Sequence, residues 1–241
     1  MSKTSRPRFA VLLAAGRGKR LRPYTDATPK PLLPFNGRPM LDHVLAAAAN
    51  AGIRHVCLVT HHLSEQIEQF VGDGSKWGLT AVFCKQKELR GTAHALQTAV
   101  RAHPTPFQEN ASFLLAATDY ILPNTYLSDL VHAHTHNGSA ITVSLKKMSL
   151  EEVTGRSSVV FSADGGIDQI VEKPAPGQVP SEFVASLITI LPAAITRYLS
   201  NMTPSPRGEY EVQTIMNQMM ADGYQAQGIV QKTPQEWEPQ F

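Results

Sequence analysis

Two closely spaced glycines and a run of basic residues near the start of the chain could bind an anion. Residues 11–23 read VLLAAGRGKRLRP, so an apolar run ends at Gly16 and Gly18 and gives way to basic residues. Glycine lets the backbone approach a ligand closely, and the amides of residues 15–18 can then form a concave set of donors. The stretch predicts a phosphate-binding loop, although a tight turn with a solvated basic face would have the same pattern.

Two cations that follow the glycines favour the phosphate interpretation. Arg20 carries a planar guanidinium that suits bidentate contact with a phosphate, and Lys30 offers a second charged donor. Lys30 lies between Pro29 and Pro31, which restrict the backbone and therefore the positions that the ammonium can reach. We interpret the segment as a triphosphate-binding loop.

Two widespread phosphate motifs do not fit this stretch. The dinucleotide pattern G-x-G-x-x-G requires a third glycine where the chain has Leu21. The Walker pattern G-x-x-x-x-G-K-[S/T] requires a glycine five residues before Gly18 and a hydroxyl side chain where Arg20 stands. The loop is therefore of a different type.

The distribution of charge indicates a local anionic ligand rather than nucleic acid. The net charge is +2 and the isoelectric point is about 8.5, but residues 1–40 hold nine Lys or Arg and one acid. A nucleic-acid surface would spread basic residues over a broad face and raise the isoelectric point further. We therefore expect no nucleic-acid partner.

The composition and the two cysteines are typical of a cytoplasmic protein. No apolar stretch approaches the roughly 20 residues of a membrane span, and the start MSKTSRPRF lacks the apolar core of a signal peptide. Cys57 and Cys84 each lie in an apolar run, as expected for buried thiols in a reducing compartment. We expect a cytoplasmic protein with no membrane partner, and the sequence leaves open whether it forms a homo-oligomer.

Short apolar runs alternate with helical patterns and predict a doubly wound, mostly parallel α/β sheet. Strands are predicted over 8–14, 55–60, 79–84, 112–118 and 140–145, and helices over 39–52, 64–72, 92–103 and 126–138. Unbroken apolar strands indicate a sheet covered by helices on both faces. Ligands of such sheets lie beyond the carboxyl ends of the strands, where the loops 14–38, 85–91 and 118–125 emerge.

The last third of the chain has a different pattern. A β-hairpin is predicted around Asp164-Gly165-Gly166, followed by a strand over 183–191 and a closing helix over 208–223.

The stretch LAAGRGKRLRPYTDATPKPLLPFNGRPML resembles the signature of the sugar-1-phosphate nucleotidylyltransferases. It matches the pattern L-A-A-G-x-G-x-R-L-x-P-x-T-x-x-x-P-K-P-L-L-P-x-x-G-x-P at nearly every fixed position. The resemblance implies nucleotide binding by one group of residues, Ala14, Ala15, Gly16 and Gly18, and catalytic roles for another, Arg20 and Lys30. It covers residues 8–225 and implies a short form of the family, without a β-helix domain.

The same resemblance implies one nucleotidyltransferase domain over residues 1–241. Its nucleotide-binding half would be 8–125 and its acceptor-binding half 126–241. The acceptor half would carry the strand and the hairpin as a small insert.

Two later motifs match the nucleotide side of the family. Gln86, with Gly91 and Thr92, resembles the loop that reads the nucleobase, because an amide can donate and accept at once. The same loop could also be a simple cap of the helix that begins at Thr92. Asp119, at the end of SFLLAATD, resembles the aspartate that binds Mg²⁺, the one cofactor that the resemblance implies.

Two further motifs match the acceptor side. Glu172 and Lys173 in E-K-P resemble the pair that binds the sugar hydroxyls and the acceptor phosphate, which gives Lys173 a catalytic role. Residues 208–211, GEYE, resemble the family's G-E-Y-E, and their glutamates also suit the positive end of the closing helix.

The reaction implied by the resemblance is substitution at the α-phosphorus of a nucleoside triphosphate by the phosphate of a sugar 1-phosphate. The products are an NDP-sugar and pyrophosphate. Phosphate is already an adequate nucleophile, so positioning and charge neutralisation would carry the rate. Arg20 would stabilise the departing pyrophosphate, Lys30 would bridge phosphates, and Asp119 would hold Mg²⁺.

Several positions depart from the family pattern and leave the acceptor open. Ser157-Ser158 stand where Tyr-Gly is common, and Leu187 stands at a glycine position of the next strand. The second metal aspartate has no counterpart, and Glu236 or Glu238 could replace it.

Two other functions therefore compete with the leading one. The first is a cytidylyltransferase for a phosphorylated amino alcohol or polyol, and the second is a non-catalytic homologue that senses a nucleotide or a sugar phosphate. The sequence does not identify the nucleobase, because Gln86 fits several base edges.

Overall fold

Strands and helices alternate along the chain. The structure is a computed structural model, and it describes residues 5–120, 123 and 125–231. The strands are β1 (Phe9–Leu13), β2 (Pro34–Phe35), β3 (Arg38–Pro39), β4 (His55–Thr60), β5 (Thr80–Lys85), β6 (Ser112–Ala117), β7 (Ile141–Lys147), β8 (Ser157–Phe161), β9 (Ile167–Glu172), β10 (Phe183–Pro192) and β11 (Ala226–Val230). The α-helices are α1 (Tyr24–Ala27), α2 (Met40–Asn50), α3 (Ser64–Val71), α4 (Thr92–Ala102), α5 (Thr105–Glu109), α6 (Tyr126–Asn137), α7 (Leu150–Val153) and α8 (Val212–Ala221). Short 3₁₀ helices cover Lys19–Leu21, Lys30–Leu32, Ser75–Trp77 and Ala193–Ser200.

The main sheet has the strand order β5-β4-β1-β6-β10-β7-β11-β9-β8. Its first half is parallel, because β1 lies between β4 and β6 and β4 pairs with β5. Phe9 and Val11 of β1 pack in one core layer with α4 and α8, whereas Ala10 and Leu12 pack in the other with α2 and α6. Helices on both faces confirm the predicted doubly wound α/β class.

The second half of the sheet is mixed. β10 runs antiparallel between β6 and β7, while β11 is parallel to β7 and antiparallel to β9. The strand predicted over 183–191 is present, and its place in the middle of the sheet joins the two predicted halves of the chain into one sheet.

β11 was not predicted from the sequence. Of its five residues only Ala226 is buried, and the sequence AQGIV lacks the alternation and the apolar run that mark a strand. A Cβ at Gly228 would lie 2.2 Å from Leu145 Cδ1, so the glycine allows β11 to pack closely beside β7.

The predicted hairpin is formed by β8 and β9. Its register pairs Ser157 with Glu172, and β9 continues the main sheet through a bridge to β11. The hairpin therefore extends one edge of the sheet instead of forming a separate layer. None of the helices within the described ranges is long and apolar enough to cross a membrane.

A buried carboxylate ties the start of α2 to the 3₁₀ turn at Ser75–Trp77. Asp42 accepts hydrogen bonds from Arg38 Nε at 2.5 Å, Lys76 Nζ at 3.0 Å and Trp77 Nε1 at 3.0 Å. Burial by itself raises the pKa of Asp42, but the hydrogen bonds from Lys76 and Arg38 outweigh it and hold the pKa below its ordinary value.

We expect Asp42→Asn to lower the free energy of unfolding at neutral pH by about 2 kcal/mol, because it removes a charge that three donors surround. A carboxylate with a lowered folded-state pKa stabilises the fold above its unfolded pKa and loses that effect as the pH falls through the folded value. The difference between wild type and variant should therefore shrink in acid. Urea unfolding at about pH 7 and about pH 3 measures it.

Asp168→Asn is the matched control, since Asp168 is exposed and makes no ion pair among the described residues. Asp168→Asn should leave the free energy of unfolding nearly unchanged at either pH. An Asp42→Asn difference that is the same at both pH values would contradict the account.

Candidate active site

A cavity of about 310 Å³ opens at the carboxyl ends of β1, β5 and β6. The three loops predicted to meet there all contribute to it, with Ala14, Ala15, Gly16 and Lys30 from the first, Gln86, Leu89, Gly91 and Thr92 from the second, and Thr118 and Asp119 from the third. Leu187 of β10 and Glu209 complete the wall on the opposite side. Parallel strands end at the same edge of a sheet, which is why segments so distant in sequence converge.

The first loop presents free backbone donors to this cavity. The Ala14 amide donates to Val59 O at 2.9 Å, but the amides of Ala15 and Gly16 have no hydrogen-bond partner among the described residues. Open space surrounds the position of a Gly16 Cβ. Unpartnered amides beside an open surface can hold the oxygens of a phosphate.

Gly18 shapes the turn that follows. Its φ of 60° lies in the left-handed region, and a Cβ there would lie 2.7 Å from Thr25 Cγ2. Thr25 Oγ1 also donates a hydrogen bond to Gly18 O at 3.0 Å, which stabilises the turn. Gly18 does not line the main cavity. It lines a neighbouring cleft, together with Arg17, Lys19, His61 and residues 87–89.

Arg20 is not brought into the cavity. It is exposed on the 3₁₀ turn Lys19–Leu21 and lines neither the cavity nor the neighbouring cleft. Arg17 and Lys19 line the neighbouring cleft instead. The basic residues of the loop therefore do not all face the same site. The catalytic role of Arg20 stays a prediction.

Lys30 and Asp119 form an ion pair inside the cavity, with Lys30 Nζ 2.5 Å from Asp119 Oδ2. Lys30 begins the turn Lys30–Leu32, and the buried Pro31 holds it in place. Asp119 directly follows Thr118, whose Oγ1 donates to Leu13 O at 3.1 Å. The threonine therefore ties the end of β6 to the end of β1 and positions the carboxylate.

The described residues supply one carboxylate suited to Mg²⁺ at this point. No group of three or more His, Cys, Asp or Glu within the described ranges could hold a metal ion. One carboxylate nevertheless suits Mg²⁺, which keeps several waters and takes further oxygens from substrate phosphates. Glu236 and Glu238, the predicted alternatives for a second ligand, lie outside the described residues.

The second loop is joined to the segment that precedes α8. Gly91 has a φ of 112°, and a Cβ there would lie 2.4 Å from Tyr210 O, so no other residue allows this approach. Tyr210 O accepts from the Ala93 amide at 2.8 Å, and the Tyr210 amide donates to Arg90 O at 2.8 Å. Thr92 Oγ1 accepts a hydrogen bond from the Val212 amide at 3.0 Å and so satisfies the first amide of α8.

A charged cluster adjoins the cavity on the acceptor side. Arg207 Nη1 lies 2.8 Å from Glu211 Oε1 and 3.3 Å from Glu172 Oε1, and Arg207 Nη2 lies 3.8 Å from Glu209. Ser157 Oγ donates to Glu172, so the serine that departs from the family pattern holds the predicted acceptor-binding carboxylate. Burial, and then the nearby Glu172, raise the pKa of Glu211.

Lys173 lies outside the charged cluster that contains the adjacent Glu172. Its side chain is exposed and does not line the cavity, while its backbone has a φ of 49° and donates to Arg156 O at 2.9 Å. Its contact with an acceptor phosphate stays a prediction.

Sequence reasoning missed Arg207 and His94. Arg207 precedes the GEYE motif directly, and a cation two and four residues before glutamates was a usable signal. His94 hydrogen-bonds to the Gln86 side chain from the first turn of α4, and nothing in its local sequence indicated that contact.

The chain belongs to the nucleotidyl transferase family, whose model matches residues 9–238. It is 29% identical over 214 residues to the UTP–glucose-1-phosphate uridylyltransferase AglF of Haloferax volcanii, covering 89% of this chain and 84% of that protein. It is 34% identical over 183 residues to the mannose-1-phosphate guanylyltransferase catalytic subunit beta of Drosophila pseudoobscura pseudoobscura. That match covers 74% of this chain but only 45% of the relative's length.

The fold is shared with solved structures of the same class. A UDP-glucose pyrophosphorylase complexed with UDP-glucose superposes with a TM-score of 0.77 at 20% identity, covering 92% of each chain. This likeness confirms the α/β nucleotidyltransferase fold.

We expect Gly91→Ala to separate the second loop from residues 208–212, because the added methyl would overlap Tyr210 and strain the backbone. The free energy of unfolding should fall by about 3 kcal/mol. Hydrogen exchange at the Ala93 amide, which donates to Tyr210 O, should also become faster.

Gly177→Ala is the matched control, since Gly177 has a φ of 79° and a Cβ added there would have no heavy atom within 4 Å. It should cost only the backbone strain, about 1 kcal/mol, with Ala93 exchange unchanged. Equal effects of the two variants would contradict the proposed close approach at Gly91.

Proposed function

We propose that the protein transfers a nucleoside monophosphate from a nucleoside triphosphate to the phosphate of a sugar 1-phosphate. The observation that carries this proposal is the convergence of free loop amides, the Lys30–Asp119 pair and the Gln86 loop on one cavity. Membership of the nucleotidyl transferase family and the uridylyltransferase activity for which AglF is named support it. Because this chain spans less than half of the guanylyltransferase relative, the choice of substrate rests on the site itself.

The cavity suits a triphosphate whose α-phosphorus lies between the first loop and the Lys30–Asp119 pair. The acceptor phosphate oxygen attacks this phosphorus, a new P–O bond forms, and the bond to the pyrophosphate oxygen breaks with its electron pair on pyrophosphate. No general base is required, because the acceptor phosphate is already ionised near neutral pH. The protein's contribution is to align the groups and neutralise their charge.

Each predicted residue has a part in this arrangement. Lys30 turns from Asp119 to the phosphates once these enter, and Ala15 and Gly16 donate backbone hydrogen bonds to them. Arg20 stabilises pyrophosphate as it leaves and Lys173 contacts the acceptor phosphate, both by movement from the exposed positions that they occupy. Asp119 would hold Mg²⁺, which supplies charge neutralisation at the phosphate oxygens when it is bound.

The acceptor-side cluster suits a polyhydroxylated ligand. Glu172 and Glu211 offer carboxylate oxygens that accept from hydroxyl groups, and Arg207, paired with both, offsets part of the repulsion between them. Leu187 fills part of the wall where the family has glycine and therefore narrows the choice of sugar.

A cytoplasmic location is part of the proposal. The proposed nucleoside triphosphate substrates are available in the cytoplasm. The buried Cys57 and Cys84 form no disulfide although their sulfurs lie 3.7 Å apart, which suits a reducing compartment.

The direct test is pyrophosphate release over a grid of five nucleoside triphosphates and a panel of sugar 1-phosphates and phosphorylated alcohols. We expect turnover with at least one sugar 1-phosphate, and only when Mg²⁺ is present. Turnover confined to CTP with a phosphorylated alcohol would contradict the sugar assignment. Nucleotide binding without turnover in any combination would point to a sensing role.

We expect Asp119→Ala to lower the turnover number roughly a hundredfold or more and to weaken its dependence on Mg²⁺ concentration, because the site loses the carboxylate proposed to hold the metal. Steady-state rates over a Mg²⁺ titration measure both effects. Asp168→Ala, a change at an exposed aspartate outside the cavity, should leave the titration unaltered. An unchanged Mg²⁺ profile in Asp119→Ala would show that the metal is held elsewhere.

A further inference from the structure

The side-chain amide of Gln86 is held from inside the protein. Gln86 is buried after the end of β5, and its Nε2 donates to Gly91 O at 3.3 Å. The same nitrogen lies 2.9 Å from Nδ1 of His94, in the first turn of α4. Both amide hydrogens therefore have partners within the protein.

The Gly91 carbonyl decides which end of the amide faces inward. A carbonyl oxygen can only accept, so an amide oxygen in the place of Nε2 would set acceptor against acceptor. His94 Nδ1 must then accept as well, and the proton of the neutral ring lies on Nε2. Burial lowers the pKa of His94, and the charge of Arg90 lowers it further, so both favour a neutral ring.

The other end of the amide is free for a ligand. Gln86 lines the cavity, and none of the described residues donates a hydrogen bond to its Oε1. The sequence suggested an amide that donates and accepts at once toward a base, but this geometry leaves only the acceptor available.

Free backbone donors line the same cavity as that single acceptor. The amides of Gly91 and Thr92 lie on residues that line the same cavity, and neither has a partner among the described residues. One acceptor and two donors in one cavity complement a base edge with one N–H and flanking carbonyl oxygens. Uracil and thymine present that edge, whereas cytosine and adenine present an unprotonated ring nitrogen and an amino group. Guanine has a ring N–H, but a carbonyl oxygen flanks it on one side only and an amino group on the other.

We propose that His94 is a positioning residue that, with the Gly91 carbonyl, fixes Gln86 as an acceptor and thereby selects a uracil or thymine nucleotide. This inference rests on the proposed function, since it takes the cavity to be the nucleotide site. His94 acts through Gln86 and does not itself contact the base.

The test is equilibrium binding of UTP, dTTP, CTP, ATP and GTP with Mg²⁺, together with kcat/KM for each triphosphate. The wild-type protein should favour UTP or dTTP. His94→Ala leaves the amide held only by the longer contact with Gly91 O, so the amide can rotate more easily. We expect the preference for UTP over CTP to fall about tenfold, the loss of about one good hydrogen bond. His94→Asn should restore most of the preference, because its side-chain oxygen can accept near the position of Nδ1.

His103→Ala is the matched control, since His103 caps the far end of the same helix and contacts Phe83 O rather than the cavity. It should leave the order of the triphosphates unchanged. Thermal unfolding of each variant separates altered preference from lost structure. If His94→Ala does not fold, His94→Leu takes its place, since leucine fills the space without accepting.

The outcomes separate this inference from the proposed function. A wild-type preference for CTP, ATP or GTP would overturn the inference, and so would an unchanged UTP-to-CTP ratio in both His94→Ala and His94→Leu. Selective UTP or dTTP binding that depends on His94, without turnover, would support the inference while overturning the proposed function. Failure of every triphosphate to bind would overturn both.

Discussion

Parallel hydrogen bonding of β1 on both sides is the constraint on which the rest of the structure depends. Val11 of β1 stands level with Cys57 of β4 and Leu115 of β6, so the three strands end at one edge of the sheet. The loops that leave them must start side by side. Lys30 and Asp119, separated by 89 positions in sequence, form an ion pair for this reason.

The second requirement of the site is that the predicted nucleotide side stay in a fixed position relative to the predicted acceptor side. Gly91 meets this requirement, because it lets the backbone of the Gln86 loop lie against Tyr210. From Tyr210 the chain leads directly to Glu211 and α8, while Arg207 gathers the acceptor-side carboxylates just before it. One close backbone contact thus sets the distance between Gln86 and the carboxylates that pair with Arg207.

Much of the structure of residues 8–120 could be predicted from the sequence, because the signals there are local. The runs FAVLL, HVCLVT and SFLLAA are buried parallel strands, and the glycine and proline spacing around Lys30 indicated a shaped loop before any pairing was known. The resemblance to a family then placed Gln86 and Asp119 at strand ends that do meet.

What could not be predicted depends on contacts between distant segments. The antiparallel place of β10 is set by pairing with β6 and β7, and nothing within residues 183–192 encodes it. The position of Arg20 depends on how the turn after Gly18 packs on Thr25. The orientation of the Gln86 amide depends on a histidine in the first turn of α4, whose own sequence gives no sign of that contact.

The central claim is nucleotidyl transfer to an acceptor phosphate by attack at the α-phosphorus, and the fate of the acceptor oxygens tests it most directly. A sugar 1-phosphate labelled with ¹⁸O in its phosphate would be incubated with an unlabelled triphosphate and Mg²⁺, and the products followed by ³¹P NMR. The account predicts ¹⁸O in the diphosphate bridge and the distal phosphate of the nucleotide sugar, with none in pyrophosphate. Label in pyrophosphate, or its absence from the bridge, would contradict it.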